Sequence, residues 1–510
     1  MKKSCILSVD QSTSATKAIL FDRKLQVMER MSKEHTQIYP RPGWVEHDPQ
    51  EIINNTHEVI GEMVSGHGGA DIKALAITNQ RETVVVWDRK TGKPVYNAIV
   101  WQCNRGAAYC QKLREDGHEQ KIRDKTGLII DPYFSATGIS WILDNVPEAR
   151  KKAGNGDLLF GTTDSWLIWN LTGGRVHATD YSNACRTMLF NINTLSWDKE
   201  IFDLMDIPLS MAPEVRFSDE SFGETFAGGA FNEPVRITGV LGDSHAALVG
   251  QLCFKPGMAK ATYGTGSSIM MNIGDEPMQS PRGLVTSIGY ALQKSVKYVF
   301  EGNIHCTGAT VKWLKDDLEL IGSAEETDAL ASSVDSNEGV YLVPAFAGLG
   351  APYWNHQAKA MISGMTFRTK KAHVVRAALE AIAYQVKDLV DLMREQAGIG
   401  EIELRVDGGP VRNNFLMQFQ ADMLGGAINR SFIEEASASG AALAAGFNLG
   451  WWNSPEEVED LRKGELIKSQ MPAEKALELY IGWESAVART LQGDQVNESP
   501  MSQGTQQSNE

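Results

Sequence analysis

The run Cys5-Ile6-Leu7-Ser8-Val9-Asp10-Gln11-Ser12-Thr13-Ser14-Ala15-Thr16-Lys17-Ala18-Ile19-Leu20-Phe21-Asp22 decides how the rest of the chain is read. Residues 5–10 are apolar and β-prone, residues 11–16 are polar and rich in hydroxyls, and residues 17–22 are strand-like again. The pattern predicts a hairpin whose first, buried strand ends on a carboxylate, Asp10. Taken alone this is an ordinary polar hairpin, since polar turns are common. The same turn could also cradle a phosphate with its backbone N–H groups and hydroxyls, with Asp10 holding Mg2+ through water.

Strands and helices alternate outward from this hairpin. Asp48-Pro49-Gln50-Glu51 has the form of a helix start, with an N-cap Asp and Pro in the first turn. Residues 72–77 and 83–87 read as strands joined by Thr78-Asn79-Gln80-Arg81-Glu82. A second series opens at residues 259–263, followed by the tight Gly264-Thr265-Gly266. Residues 373–397 repeat apolar side chains at helical spacing, with Gly398 as the stop. Residues 403–406 form a strand leading into Asp407-Gly408-Gly409, then a helix from about Asn413. Ser437-Ala438-Ser439-Gly440-Ala441-Ala442-Leu443-Ala444-Ala445-Gly446 is a small-residue helix suited to close packing. Two strand-helix series imply α/β layers in two lobes, and ligands of such folds sit beyond the strand ends. The expected division is a first domain over residues 1–252, a second over 253–491, and a Gln/Ser/Asn-rich disordered tail over 492–510.

Length and composition agree. The 510 residues exceed one compact core at ~150 residues per domain. Hydrophobic and charged fractions of 42% and 22% are globular values and exclude a mostly disordered chain. A net charge of −15 with no basic run argues against nucleic acid as a partner. No stretch of 18 apolar residues is present, so no membrane-spanning helix is expected. Two lysines precede the first apolar run, but Asp10 interrupts it and a strand is the better reading than a signal peptide. The six cysteines are scattered without a CxxC, which points to reduced thiols in the cytoplasm; the sequons at Asn54 and Asn170 are then chance matches.

Neither a GxxxxGK[ST] loop, a Rossmann GxGxxG, an HExxH nor a metal-spaced Cys/His set occurs. What remains is a set of individually weak constellations at predicted strand ends. Tyr263-Gly264-Thr265-Gly266-Ser267-Ser268 repeats the phosphate-loop character of residues 10–14 in the second lobe, its glycines permitting close backbone approach. Asp407-Gly408-Gly409 could admit a flat base against bare backbone. Asp243, in Gly242-Asp243-Ser244-His245, is a carboxylate at a strand end that could serve as a general base, or simply cap a helix; His245 then starts an Ala-rich helix and reads as structural. Arg81-Glu82 offers donors and an acceptor for a polyol, or is a solvated loop. Trp101 and Tyr133 are either core packing or walls of a polyol pocket.

Assembled, the residues resemble the FGGY carbohydrate kinase family, and within it the branch that phosphorylates glycerol. The resemblance rests on Asp10-Gln11-x-Thr13, Ile77-Thr78-Asn79-Gln80-Arg81-Glu82-Thr83, Asn97-Ala98-Ile99-Val100-Trp101-Gln102-Cys103, Asp131-Pro132-Tyr133-Phe134-Ser135, Tyr263-Gly264-Thr265-Gly266, Pro344-Ala345-Phe346-Ala347-Gly348-Leu349-Gly350-Ala351-Pro352-Tyr353-Trp354 and Val406-Asp407-Gly408-Gly409, in the family's order from residue 5 to about 490. It implies a two-domain, actin-like (ribonuclease H-like) fold with the site in the interdomain cleft, and transfer of the γ-phosphate of ATP-Mg2+ to a polyol or sugar hydroxyl. By resemblance, Asp243 is the general base. Arg81, Glu82 and Tyr133 hydrogen-bond the polyol, and Trp101 walls its carbon side. Thr13, Ser14, Thr265, Gly308, Gly409 and Asn413 contact nucleotide, and Asp10 lies near the metal. The chain departs from the pattern at Ser244 (Gln in the pattern) and Ser268 (Phe), both substrate-pocket positions, and at Ser12 (Gly), Lys17 (Arg), Gly138 (Lys) and Asn104 (Arg). The two pocket changes imply a larger, more polar pocket. The expected reaction is phosphorylation of glycerol to glycerol 3-phosphate, with a larger polyol or sugar as the alternative and a non-catalytic nucleotide switch as the rival of another class. A homo-oligomer is expected.

Overall fold

A computed structural model describes residues 3–66, 70–279, 283–355, 357–431, 433, 435–459, 461 and 464–492. The opening hairpin is β1 (Lys3–Gln11) and β2 (Ala15–Asp22), followed by β3 (Val27–Glu34), α1 (Pro49–Gly66), β4 (Ala70–Asn79), β5 (Ser221–Thr225), β6 (Val235–Gly242) and α2 (Asp243–Gly250). These strands make a six-stranded sheet in the order β5-β6-β4-β1-β2-β3. β1 pairs antiparallel with β2 and parallel with β4, so Asp10 lies directly across from Lys17. Both faces of β1 are covered, which is why its sequence reads as an apolar run rather than an alternation. Cys5, Leu7 and Val9 pack with Ile52, Val59 and Ile60 of α1, while Ile6 packs in a separate cluster on the other face.

The second half repeats the plan. β7 (Met258–Tyr263), β8 (Ser267–Gly274), β9 (Val285–Leu292), β10 (Ser295–Ile304), α3 (Lys371–Ala397), β11 (Glu403–Gly408), α4 (Asn414–Leu424), β12 (Ala427–Arg430), α5 (Ala436–Asn448), β13 (Glu465–Lys468) and α6 (Ala473–Gln492) follow in order. Their sheet runs β9-β10-β8-β7-β11-β12-β13. In both sheets the first strand of an antiparallel meander pairs parallel with a later strand. Along β7, Ala259, Ala261 and Tyr263 enter the core. Lys260 and Thr262 therefore share the opposite face.

α5, from the second half of the chain, packs against α2, β6, β4 and β1 of the first. Its small residues make this possible: a Cβ on Gly440 would lie 1.8 Å from the Ala246 carbonyl oxygen, and one on Gly250 would lie 2.3 Å from that of Ala436. The resulting cluster holds Ile6, Ala74 and Leu241 together with Met270, Tyr290 and Val299, so one core joins the two sheets. α3 starts two residues earlier than its periodicity suggests and ends at Gly398 in the left-handed conformation, φ 66. Among the described residues no helix is long and apolar enough to cross a membrane. Of the tail expected over 492–510, Gln492 closes α6 and the rest lies outside the described residues.

Candidate active site

The site is built where strand ends of both sheets meet. β1 delivers Asp10 and the turn Ser12-Thr13-Ser14. Ser12 closes this turn on itself, its N–H and hydroxyl both donating to the Ala15 carbonyl (2.9 Å each). The Thr13 carbonyl accepts from His35 Nε2 (2.8 Å) and Gln37 Nε2 (2.7 Å), which leaves the Thr13 hydroxyl to accept from Trp101 Nε1 (3.0 Å). The first phosphate-type loop and the expected wall of the substrate pocket thus touch. Tyr133 packs edge-on against Trp101, with centroids 5.6 Å apart, and its hydroxyl bonds to no described residue.

His47 underpins the loop. Its Nε2 donates to Gln37 Oε1 (2.9 Å) and its Nδ1 accepts from Gln80 Nε2 (3.3 Å), which also donates to Gln11 Oε1 (3.1 Å). Burial pushes its imidazole down to about 3, with His35 adding to the effect. The unfolded chain takes up the proton near pH 6.5 and the folded chain does not until about 3, so stability falls as pH drops through that window. The cost is about 2 kcal/mol at pH 5 relative to neutral pH, at ~1.4 kcal/mol per pH unit. His47→Gln is expected to show a shallower fall of Tm between pH 7 and pH 5 than the unsubstituted chain; parallel profiles would exclude His47 as the titrating group.

Asp10 is buried, and its carboxylate accepts no hydrogen bond from the described residues. Burial pushes it up to about 7, with Lys17 opposing and Asp243 and Glu435 reinforcing. An acid without donors beside a cleft fits a cation brought in by another ligand. Among the described residues no three acidic, His or Cys side chains converge as a closed metal site. Lys17 stands across from Asp10 and pairs with Glu435 at the head of α5 (3.0 Å).

Asp243 opens α2, in the first turn where the helix dipole favours a carboxylate. Its Oδ1 accepts from Arg81 Nε (3.1 Å) and from the Ser244 N–H (2.6 Å); Oδ2 bonds to no described residue. The helix begins at Asp243, two residues before the start read at His245. Arg81 is almost fully buried and also donates to Glu301 Oε1 on β10 (3.0 Å), so it spans the two sheets. Glu82, at φ 62, is buried and accepts from Arg186 Nε (2.6 Å). Arg186 Nη1 lies 2.7 Å from Glu301 Oε2 and donates to Ser287 (2.7 Å). Burial holds Glu82 above the usual carboxylate range despite the two arginines. At Glu301 burial pushes upward too, but Arg186 and Arg81 outweigh it and the net shift is downward. Arg81-Glu82 is therefore a buried, doubly paired unit and not the solvated loop that its sequence equally allowed. Strain at Glu82 and burial of both charges are costs that a merely structural loop would avoid.

On the second sheet, the Gly264-Thr265-Gly266 turn receives the start of the helix Gly308–Asp316: Gly308 N–H donates to the Gly264 carbonyl (2.9 Å), and Thr307 and Ala309 donate to that of Thr265 (2.9 and 3.0 Å). Thr265 itself is exposed. Gly308 has no spare room, since a Cβ there would stand 2.7 Å from the Gly264 oxygen; at Gly409 a Cβ would meet nothing within 4 Å. Gly409 thus presents open backbone, whereas Gly308 seats the turn. Asn413 caps α4, accepting from the Leu416 N–H (2.8 Å) and donating to Thr327 (2.9 Å), so its side chain is committed to protein contacts. Ser14 is exposed and Ser244 and Ser268 are half-buried.

Sequence reasoning missed Arg186, Glu301, Lys260 and Glu435, and singled out Lys17 only as a departure from the family's loop pattern. Only Lys260 left a signal, as a charged residue in the middle of an otherwise buried strand.

Two family models cover most of the chain: "FGGY family of carbohydrate kinases, N-terminal domain" over residues 5–250 and "C-terminal domain" over 259–449. Glycerol kinase 2 of Thermotoga maritima is 52% identical over 489 residues, 95% of this chain and 98% of that protein. A Plasmodium falciparum glycerol kinase solved with ADP is 38% identical, with a TM-score of 0.92 over 96% of this chain and 98% of the other. A ligand-bound xylulose kinase from Lactobacillus acidophilus, 20% identical, shares the fold (TM-score 0.86 over 95% and 98%).

Proposed function

The chain belongs to the FGGY family of carbohydrate kinases, and on that premise we propose that it transfers the γ-phosphate of ATP to a terminal hydroxyl of glycerol, giving glycerol 3-phosphate and ADP. The observation that carries this reading is the convergence of a half-exposed carboxylate, Asp243, with the Asp10–Thr13 loop across a floor of buried ion pairs. Asp243 Oδ2 is free to take the hydroxyl proton as the oxygen attacks phosphorus. Arg81 holds Asp243 in place and offers its remaining N–H groups to the polyol. Glu82, fixed by Arg186, presents an acceptor, and Trp101 and Tyr133 cover the carbon side. Thr13 and Thr265 approach the phosphates from opposite sheets, and Gly409 leaves open backbone for the base. A bound Mg2+ would neutralise charge on the phosphate oxygens. Most of the rate would come from positioning and fixed charge.

A coupled ADP assay tests the reading directly: ATP turnover should appear on adding glycerol, and its absence would leave only a nucleotide-binding scaffold. Because Thr13 and Thr265 lie in different lobes, ATP-Mg2+ with glycerol is expected to slow amide exchange around both loops together; slowing at one loop alone would contradict a shared nucleotide site. The six cysteines are buried and form no disulfide, which supports a reducing, cytoplasmic location.

A further inference from the structure

One short turn bonds to the backbone beside three of the charged groups described above. The strand Ala178–Asp180 ends on Asp180, which caps the helix Tyr181–Ala184. Asp180 is fully buried and makes no ion pair with any described residue. Its carboxylate instead collects five donors. Oδ1 accepts from the Ser182 hydroxyl, the Asn183 N–H and Asn183 Nδ2 (2.9 Å each). Oδ2 accepts from the Ser182 N–H (3.1 Å) and the Ser218 hydroxyl (2.7 Å). A Ser or Asn side chain would cap the helix as well. Only an ionised carboxylate, which accepts at both oxygens and donates at neither, satisfies all five donors together. Burying a charge without a counter-ion is a cost that capping alone does not explain.

Three connections lead from this turn to the site. The Ser182 proton is committed to Asp180, so its Oγ is left to accept, and it accepts from the Gly242 N–H (2.9 Å). Gly242 ends β6 and directly precedes Asp243. Asn183 forms a reciprocal amide pair with Asn79: Asn79 Nδ2 donates to Asn183 Oδ1 (2.9 Å), and Asn183 Nδ2 donates to Asn79 Oδ1 (3.2 Å). Asn79 Nδ2 also donates to the Gln80 carbonyl (2.8 Å), which belongs to the peptide leading into Arg81. Gly242 and Asn79 are register partners on adjacent parallel strands, and a Cβ on Gly242 would stand 2.6 Å from Arg81 Cγ. The third connection runs along the chain. The Arg186 N–H donates to the Asn183 carbonyl (3.1 Å), so the same turn seats the arginine that pairs with Glu82 and Glu301.

We infer that Asp180 is a positioning residue for the phosphoryl transfer: through Ser182 and Asn183 it fixes the strand ends that carry Asp243 and Arg81, and so sets the placement of the base without touching substrate or nucleotide. This rests on the kinase reading above. A productive site holds its groups within about 0.5 Å, and a displacement of about 1 Å caused by a distant substitution can cost 10²-fold in rate. Asp243 Oδ2, which no described residue holds, takes its position from the backbone at Gly242 and from the bonds made at Oδ1. The bond from the Gly242 N–H to Ser182 restrains the first of these, and the Asn79–Asn183 pair restrains the peptide ahead of Arg81, which supplies one of the second.

The test is steady-state kinetics of the full chain with ATP-Mg2+ and glycerol. Asp180→Asn, which turns one accepting oxygen into a donor, is expected to lower kcat by roughly 10- to 10²-fold while the KM for ATP stays within about threefold. Ser182→Ala, a milder change that removes only the acceptor of the Gly242 N–H, should show the same split and keeps the test open if the first variant does not fold. Ser165→Ala is the comparison. It removes a buried hydroxyl that donates to the Ala178 carbonyl (2.9 Å) of the same strand but lies on none of the three connections, and its kcat should stay within about threefold of the unsubstituted chain. In an Asp243→Asn background, Ser182→Ala should lower kcat by less than about threefold further, because the group it positions is already disabled. An unchanged kcat in Ser182→Ala, an equal loss in Ser165→Ala, or an undiminished loss in the Asp243→Asn background would each overturn the inference, reduce Asp180 to a structural cap and leave the kinase reading standing. No ATP turnover with glycerol in the unsubstituted chain would remove the kinase reading and the inference with it.

Discussion

Asp243→Asn is expected to lower kcat by about 10²–10⁴-fold, the range for loss of a general base, while the chain stays folded and still binds nucleotide. The substitution is isosteric and retains an oxygen to accept from Arg81 Nε and the Ser244 N–H. Arg81 keeps its second partner, Glu301, so no buried charge is abandoned. What is lost is the unpartnered Oδ2, the atom able to receive the hydroxyl proton. Single-turnover phosphate transfer and nucleotide titration on the same preparation separate chemistry from binding. A variant within threefold of the unsubstituted chain would remove Asp243 from the mechanism.

Arg186→Met should have the largest effect on stability. Arg186 is 1% exposed and is the only described partner in an ion pair with Glu82, while also flanking Glu301. Removing one member of a buried ion-pair network leaves its partners desolvated and uncompensated, at a cost of about 3–5 kcal/mol. For a lobe of some 250 residues that corresponds to a fall in Tm of roughly 6–20 °C. Glu82 is already held above the usual carboxylate range by burial, and without Arg186 it would be pushed further toward the neutral acid. Activity should therefore fall even below the melting transition, and adding Glu82→Gln should restore part of the lost stability, because it removes the charge left without an ion-pair partner, whereas Glu301 keeps Arg81. A Tm within 2 °C of the unsubstituted chain would show that the network contributes far less than its burial implies.

The polar floor was the part of the site least legible in the sequence. Arg81 and Glu301 lie 220 residues apart, and the short segments around Arg186 and Glu301 contain nothing that distinguishes a buried charge from a surface one. The turn glycines were legible as a group but not by role: only the packed structure distinguishes Gly308, wedged against the Gly264 carbonyl, from Gly409, which has open space. Asn413 was legible as the approximate start of a helix and, by resemblance, as a nucleotide contact, whereas its cap bond to the Leu416 N–H and its bond to Thr327, 86 residues away, appear only in the folded structure.

Local chemistry was enough for the hairpin around Asp10, the small-residue helix α5, the long helix ended by Gly398 and the repetition of the strand-helix series, because side-chain periodicity, glycine's access to positive φ and turn composition act between residues a few positions apart. Tertiary structure alone decided that α5 crosses to the first sheet, that Trp101 rests on Thr13, and that Arg81 and Arg186 meet Glu301 between the lobes. Those pairings follow from desolvation and Coulomb attraction, which depend on distance through space and are blind to separation along the chain.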